Sequence, residues 1–270
     1  MIGAIIGDVI GSVYEFCPIK SKAFPLWSSV STFTDDSVMT VAVGRAIIRH
    51  KTQRDDLTTA LVEEMQRLGR QYPHAGYGGG FRIWLRQENP QPYNSYGNGS
   101  AMRVSACGYA AESLEDALSM AAASAKVSHN HPEGIKGAEA TAAAIYMARN
   151  GASKDEIGGF ICDHYYKLNA TLDEIRPSYF FNETCQNTVP QAIISFLESN
   201  SFEDAIRNAI SLGGDADTLA AITGSIAWAY YGYSQKPNDM ILLEQEVRSK
   251  YIPDDFIVTL DAFDQIFNNQ

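Results

Sequence analysis

Two stretches of this chain, AEATAAAIYMA (138–148) and LAAITGSIAWAYYG (219–232), constrain its fold more than any others. Both have helical composition, are rich in Ala and Gly, and are apolar on most faces. A helix of that kind must be wrapped by protein or by lipid. Polar residues interrupt or flank each run within a dozen or so positions, well short of the roughly 20 apolar residues that a membrane span needs. They are therefore read as the buried centre of a large all-α domain. Helical periodicity recurs at 3–16, 36–50, 55–70, 100–110, 113–126, 134–149, 154–167, 189–198, 202–210, 217–232 and 240–250, while strand signals are scarce. No repeat, low-complexity tract or linker marks a boundary, so one domain over 1–270 is predicted.

The opening MIGAIIGDVIG repeats glycine at 3, 7 and 11. In a membrane that spacing suggests helix dimerisation, but the run is too short to span and carries Asp8, so it predicts a buried helix whose glycines admit a close neighbour. It also lacks the basic start of a secretory signal. Cys17, Cys107, Cys162 and Cys185 form no C-x-x-C pair, which suggests neither a zinc site nor a disulfide framework and fits the cytoplasm. With 21 Lys and Arg against 32 Asp and Glu, the chain lacks the basic field that gathers nucleic acid or anionic lipid, and neither partner is expected. Rossmann and P-loop glycine signatures are missing.

Chemistry concentrates at two helix starts. FTDDSVMTVAVGRAI (33–47) sets adjacent carboxylates before an apolar helical run, and GGDADTLAAITG (213–224) does nearly the same. Either start alone reads as an ordinary helix cap, since Asp, Ser and Thr satisfy free N–H groups there and acids meet the positive end of the dipole. Neighbouring residues do not share a helix face, however, so Asp35 and Asp36 must point apart. If the two starts meet, Thr34, Asp35, Asp36, Asp215, Asp217 and Thr218 bring four carboxylates and two hydroxyls together. Such a cluster raises its own pKa values unless cations neutralise it, and all-oxygen ligation suits Mg²⁺, Mn²⁺ or Ca²⁺. Two ions roughly 3.5–4 Å apart would use both directions.

Three further features bear on the site. SYGNGSAMR (95–103) is either a plain Asn-Gly turn or a loop that turns backbone N–H groups onto a phosphate. In SHNHPEG (128–134), His129 and His131 lack a third soft ligand and read as loop histidines or a substrate-edge contact. Glu15, four residues past Gly11, closes the first helix, either solvated or facing the same cleft. Tyr77, Phe81, Tyr93, Tyr96, Tyr230 and Tyr231 read mainly as packing residues, with base stacking as the alternative.

In order, GAIIGDVIGSVYE, FTDDSVMT, GNGSAMR, SHNHPEGIKGAEA and GGDADTLAAITGSIAWAYYG resemble the ADP-ribosylglycohydrolase family over about residues 2–232. That resemblance implies a compact orthogonal multi-helix bundle with a binuclear Mg²⁺ or Mn²⁺ centre in a cleft that takes ADP-ribose. By matching position, Thr34, Asp35, Asp36, Asp215, Asp217 and Thr218 would be the metal ligands. Glu15 would lie near the metals and, with Asp36 and Asp215, take part in the chemistry. Gly97, Asn98, Gly99, Ser100 and Met102 would hold the diphosphate, and His129 would sit beside the substrate. Ser128 and Ser37 stand where Thr is usual in the family, and both keep the hydroxyl. The implied activity is hydrolysis at the anomeric carbon of ADP-ribose on a protein or small molecule, releasing ADP-ribose, by a monomer. The alternatives are a non-catalytic member that binds ADP-ribose or serves as a structural protein, and a metal-dependent phosphohydrolase. No motif is recognised after residue 235.

Overall fold

The computed structural model describes residues 1–233 and 235–267; the last residues of the predicted 1–270 domain, 268–270, lie outside the described residues. In chain order the helices are α1 (Ile2–Gly11), α2 (Asp35–Gln53), α3 (Leu57–Gln71), α4 (Gly79–Trp84), α5 (Gly99–Met102), α6 (Ser105–Ala110), α7 (Leu114–Lys126) and α8 (Pro132–Arg149). They continue as α9 (Lys154–His164), α10 (Leu172–Ile175), α11 (Cys185–Leu197), α12 (Phe202–Ile210), α13 (Ala216–Tyr231), α14 (Asn238–Lys250) and α15 (Asp254–Phe267). Among the described residues there is no strand, only an isolated bridge between Gly97 and Thr184. The all-α class is as predicted. No helix among them is long and apolar enough to cross a membrane.

The centre is the pair α1 and α13, antiparallel and touching backbone to backbone. Every residue of α1 is buried, and so is α13 from Ala216 to Ala229. The glycine stripe explains the closeness. A Cβ on Gly3 would lie 2.4 Å from the Gly224 carbonyl oxygen, one on Gly7 2.0 Å from that of Ala220, and one on Gly11 2.6 Å from that of Ala216. The neighbour that the glycines admit is thus the second Ala/Gly run, in steps of four residues on both helices. Around this pair, α8 packs on α7 and α13, and α2 on α3, α1 and α15.

Several boundaries differ from the periodicity. The first helix stops at Gly11 instead of continuing to 16, because Ser12 turns its Oγ back onto the Val9 carbonyl (3.0 Å) and the chain bends away. Glu15 consequently lies in a bend and does not close a helix. The segment 100–110 is broken at Arg103 and Val104, which gives the short α5 and α6. The helix expected at 189 starts at Cys185. Beyond 235, α15 buries Phe256, Leu260, Phe263 and Phe267, a spacing of 4, 3 and 4 that packs one face against α2.

Candidate active site

The N-termini of α2 and α13 meet, the condition on which the acidic cluster depended, and the contact is direct: Thr218 Oγ1 donates to Asp36 Oδ2 at 3.2 Å. The cap of α2 is Thr34, whose Oγ1 accepts from the Asp36 N–H at 3.3 Å. Neither Asp35 nor Asp36 caps its own helix, so both carboxylates are left over. Asp215 occupies the N-cap position of α13 but makes no capping bond, and Asp217 Oδ1 accepts from the Thr218 N–H at 2.9 Å.

A residue that sequence reasoning missed organises this junction. Asp8, fully buried on α1, accepts from the Thr34 N–H (2.9 Å), Thr34 Oγ1 (2.7 Å), the Ser37 N–H (3.0 Å) and the Ser37 hydroxyl. It caps α2 from a different helix, and its charge meets the positive end of that helix. Ser37 therefore does its work through Asp8. The signal was present in the sequence: an acid inside an apolar helix, directly after a stripe glycine.

The carboxylates form two sets that share one member. Asp8, Asp36 and Asp217 each offer an oxygen within 4.8 Å of the others, and so do Glu15, Asp215 and Asp217. Asp35 faces the same cleft beside Gly76. Burial drives the protonation of the group. It raises Asp35, Asp36 and Asp217 well above the usual carboxyl range, with neighbouring acids adding to the effect. Burial also lifts Asp8, against its four hydrogen bonds. Asp215 rises only to about 6, because hydrogen bonds from Asp217 and Asn98 favour its anion, and Glu15 rises to about 8 through burial and then Asp217. The buried Asp36 Oδ1 has no hydrogen-bond partner among the described residues. An orphaned carboxylate oxygen among crowded acids fits hard divalent cations.

The second wall of the cleft carries the predicted substrate residues. Gly97, Asn98, Gly99, Met102 and His129 line it, and Ser100 lies just behind, its hydroxyl bonded to the Gly134 carbonyl at 2.7 Å. The loop is tied to the acids by Asn98, whose Nδ2 donates to Asp215 Oδ2 (2.7 Å) and Thr188 Oγ1 (3.1 Å). Most of the loop's own N–H groups are engaged within the protein. The N–H groups of Gly97 and Asn98 are spent on Ser95 Oγ and the Glu183 carbonyl, and that of Ser100 leans on the Gly97 carbonyl at 3.4 Å. Only the Gly99 N–H remains for a ligand among these four.

His129 is not a surface histidine but is 5 % exposed at the end of the cleft. His131 does a different job, accepting the Glu133 N–H at 3.1 Å as the N-cap of α8. Of the aromatic residues, Tyr77, Phe81 and Trp84 are buried, with Phe81 and Tyr93 flanking His129.

Comparison with known proteins agrees with this architecture. The mouse protein named ADP-ribosylhydrolase ARH3 is 28% identical over 316 residues, covering 88% of this chain and 84% of its own. The Pseudomonas putida protein named ADP-ribosylarginine hydrolase Tri1 is 28% identical over 276 residues, with coverage of 89% and 72%. A solved structure titled ADP-ribosylglycohydrolase-related protein complex superposes with a TM-score of 0.71 over 98% of this chain and 96% of that one; at 22% identity this is a likeness of fold. The profile of the ADP-ribosylglycohydrolase family matches residues 1–262, from the glycine-striped α1 through the acidic starts and into α15. By that match the chain belongs to the ADP-ribosylglycohydrolase family.

Proposed function

We propose that this glycohydrolase-type hydrolase cleaves the bond between the anomeric carbon of ADP-ribose and a protein side chain or small-molecule acceptor, releasing ADP-ribose, with two divalent cations, Mg²⁺ or Mn²⁺. The observation that carries the reading is the pair of carboxylate sets sharing Asp217 where α1, α2 and α13 meet. Asp36 and Asp217 would hold one ion and Asp215 and Asp217 the other, with Asp35, Thr34 and Thr218 completing the donors. Bound there, the cations would supply positive charge that offsets both the acids and the substrate's oxygens.

The remaining work falls to the chain. Asn98 holds Asp215 in place and couples the loop to the acidic floor. Asp8 fixes the start of α2, so that Asp35 and Asp36 keep their directions. Glu15 stands at the half-buried edge of the floor and, raised to about 8 in the metal-free protein, retains a proton on its carboxyl at neutral pH. With cations bound, the acids beside it would be ionised and the same positive charge would lower Glu15, so its role rests on its place at the edge of the floor, where a carboxyl group can exchange a proton with the leaving group or water as an oxocarbenium-like transition state forms. We also propose a reducing compartment, the cytoplasm, in keeping with four free cysteines.

The test uses metal-stripped protein and a panel of ADP-ribosylated arginine, serine and small-molecule acceptors. Release of ADP-ribose should be absent in chelator and return on titration with Mg²⁺ or Mn²⁺, saturating at two ions per chain. Full turnover in excess chelator would refute the metal reading, and no release from any acceptor would refute the activity.

A further inference from the structure

Behind the loop wall lies a buried cation that the proposed chemistry does not use. Arg103, 1 % exposed, has no carboxylate partner among the described residues. Its Nη2 donates to the Ser124 carbonyl (2.6 Å) and to Ser128 Oγ (2.9 Å), Nε reaches Ser124 Oγ (3.3 Å), and the guanidinium lies 5.6 Å from the Phe81 ring centre. Ser128 Oγ in turn lies 2.7 Å from His129 Nδ1.

The direction of that last bond follows from counting protons. Arginine can only donate, so Ser128 Oγ accepts on one side. Ser128 is fully buried, and its hydroxyl hydrogen has one acceptor within reach, His129 Nδ1. If Nδ1 carried the proton instead, the serine hydrogen would be left unpaired in the interior, enough to bias the tautomers by about tenfold or more. Burial and the Arg103 charge push the imidazole well below its usual pKa, so a second proton is disfavoured. The single proton then sits on Nε2. That nitrogen has no hydrogen-bond partner among the described residues and faces the loop glycines: a Cβ on Gly97 or Gly99 would stand 3.5 or 3.4 Å from it. Glycine at both positions keeps the space in front of Nε2 open.

We propose that Arg103 and Ser128 are positioning residues that fix His129 as the Nε2–H tautomer, a hydrogen-bond donor to a phosphate oxygen of the diphosphate held at the Gly97–Ser100 loop. The proposal rests on ADP-ribose being the ligand, and it supplies what the loop lacks, since three of its four N–H groups are engaged within the protein. A neutral donor backed by a buried cation draws a diphosphate to this wall and away from the acids opposite.

The test has two arms on the full chain in saturating Mg²⁺. Nitrogen-15 NMR of imidazole-labelled protein without nucleotide should show His129 protonated at Nε2 and bare at Nδ1. A proton on Nδ1 overturns the proposal whatever the ligand. Calorimetry with ADP-ribose should show Ser128→Ala weaker by about tenfold, the worth of one hydrogen bond to a charged group, and Ser128→Thr close to wild type. Unchanged affinity in Ser128→Ala overturns the proposal. If wild type does not bind ADP-ribose at all, the functional reading fails, and the tautomer measurement still decides whether Arg103 and Ser128 set the proton.

Discussion

Gly7→Ala tests whether the carboxylate floor depends on how closely α1 and α13 approach. The added Cβ would stand 2.0 Å from the Ala220 carbonyl oxygen and 2.4 Å from its carbon, against ordinary contact of about 3.5 Å. The obstacle is backbone, so no rotamer change relieves it and the helices must part by more than 1 Å. Overpacking of this kind costs about 3 kcal/mol at the upper end of its usual range. Alanine's better helix propensity returns about 1 kcal/mol, leaving a net loss of roughly 2 kcal/mol. For a chain of this length that is a fall in Tm of about 4 °C. The larger effect should be on function, because Asp8 is the next residue and a shift of about 1 Å at a reacting site can cost about a hundredfold in rate. Melting followed by circular dichroism, Mg²⁺ titration and ADP-ribose release should be compared with Gly159→Ala. That position lies within α9, and a Cβ there meets nothing within 4 Å, so the control gains propensity without a clash. A Gly7→Ala protein that melts at or above wild type with unchanged metal affinity would refute the reasoning.

Three further outcomes are expected. Asp217→Asn, which removes the carboxylate common to both sets, should abolish ADP-ribose release and both metal sites while the helical spectrum persists; an unfolded variant would mean that the residue is structural. In metal-free protein Asp215 is raised to about 6 from 3.8 by burial, so the folded chain keeps a proton that the unfolded chain has lost, and stability falls as pH rises from about 4 through 6. The loss reaches at most about 3 kcal/mol by pH 8; Asp215→Asn should flatten this part of the Tm profile in chelator, and an unchanged slope would count against it. Gly99→Val should weaken ADP-ribose at least tenfold, because its methyl groups would fill the space between the loop and His129 Nε2, while Mg²⁺ affinity stays within about twofold; equal losses for both ligands would move the phosphate site elsewhere.

The architecture was legible where one helix carries its own pattern. The runs 138–148 and 219–232 announce burial on all sides, and both are buried cores of α8 and α13. The paired acidic starts left their meeting conditional, and the Thr218–Asp36 contact realises it. What stayed hidden depends on partners far apart in sequence. Nothing local says that the Asn98 amide reaches Asp215, 117 positions on, or that the loop's N–H groups are taken by Ser95 and Glu183. The end of α1 was misplaced because the apolar pattern continues through Val13 and Tyr14, whereas the Ser12 side chain competes for the backbone and ends the helix.

Asp8 is the instructive omission, because its role follows once the partner of the glycine stripe is known. Successive residues of an α-helix point about 100° apart. Gly3, Gly7 and Gly11 face α13, so a residue following one of them faces the flank of that contact, and Asp8 reaches the first turn of α2 there. A charge at that place could not be tolerated against an apolar neighbour; it is stable because four donors, two N–H groups and two hydroxyls, converge on it. The close approach and the acid are therefore one device. Glycine brings α13 with Asp217 against α1, and Asp8 then fastens α2 with Asp35 and Asp36 to the same point, so that the three helices carrying the carboxylates are held together by one glycine-striped apolar start.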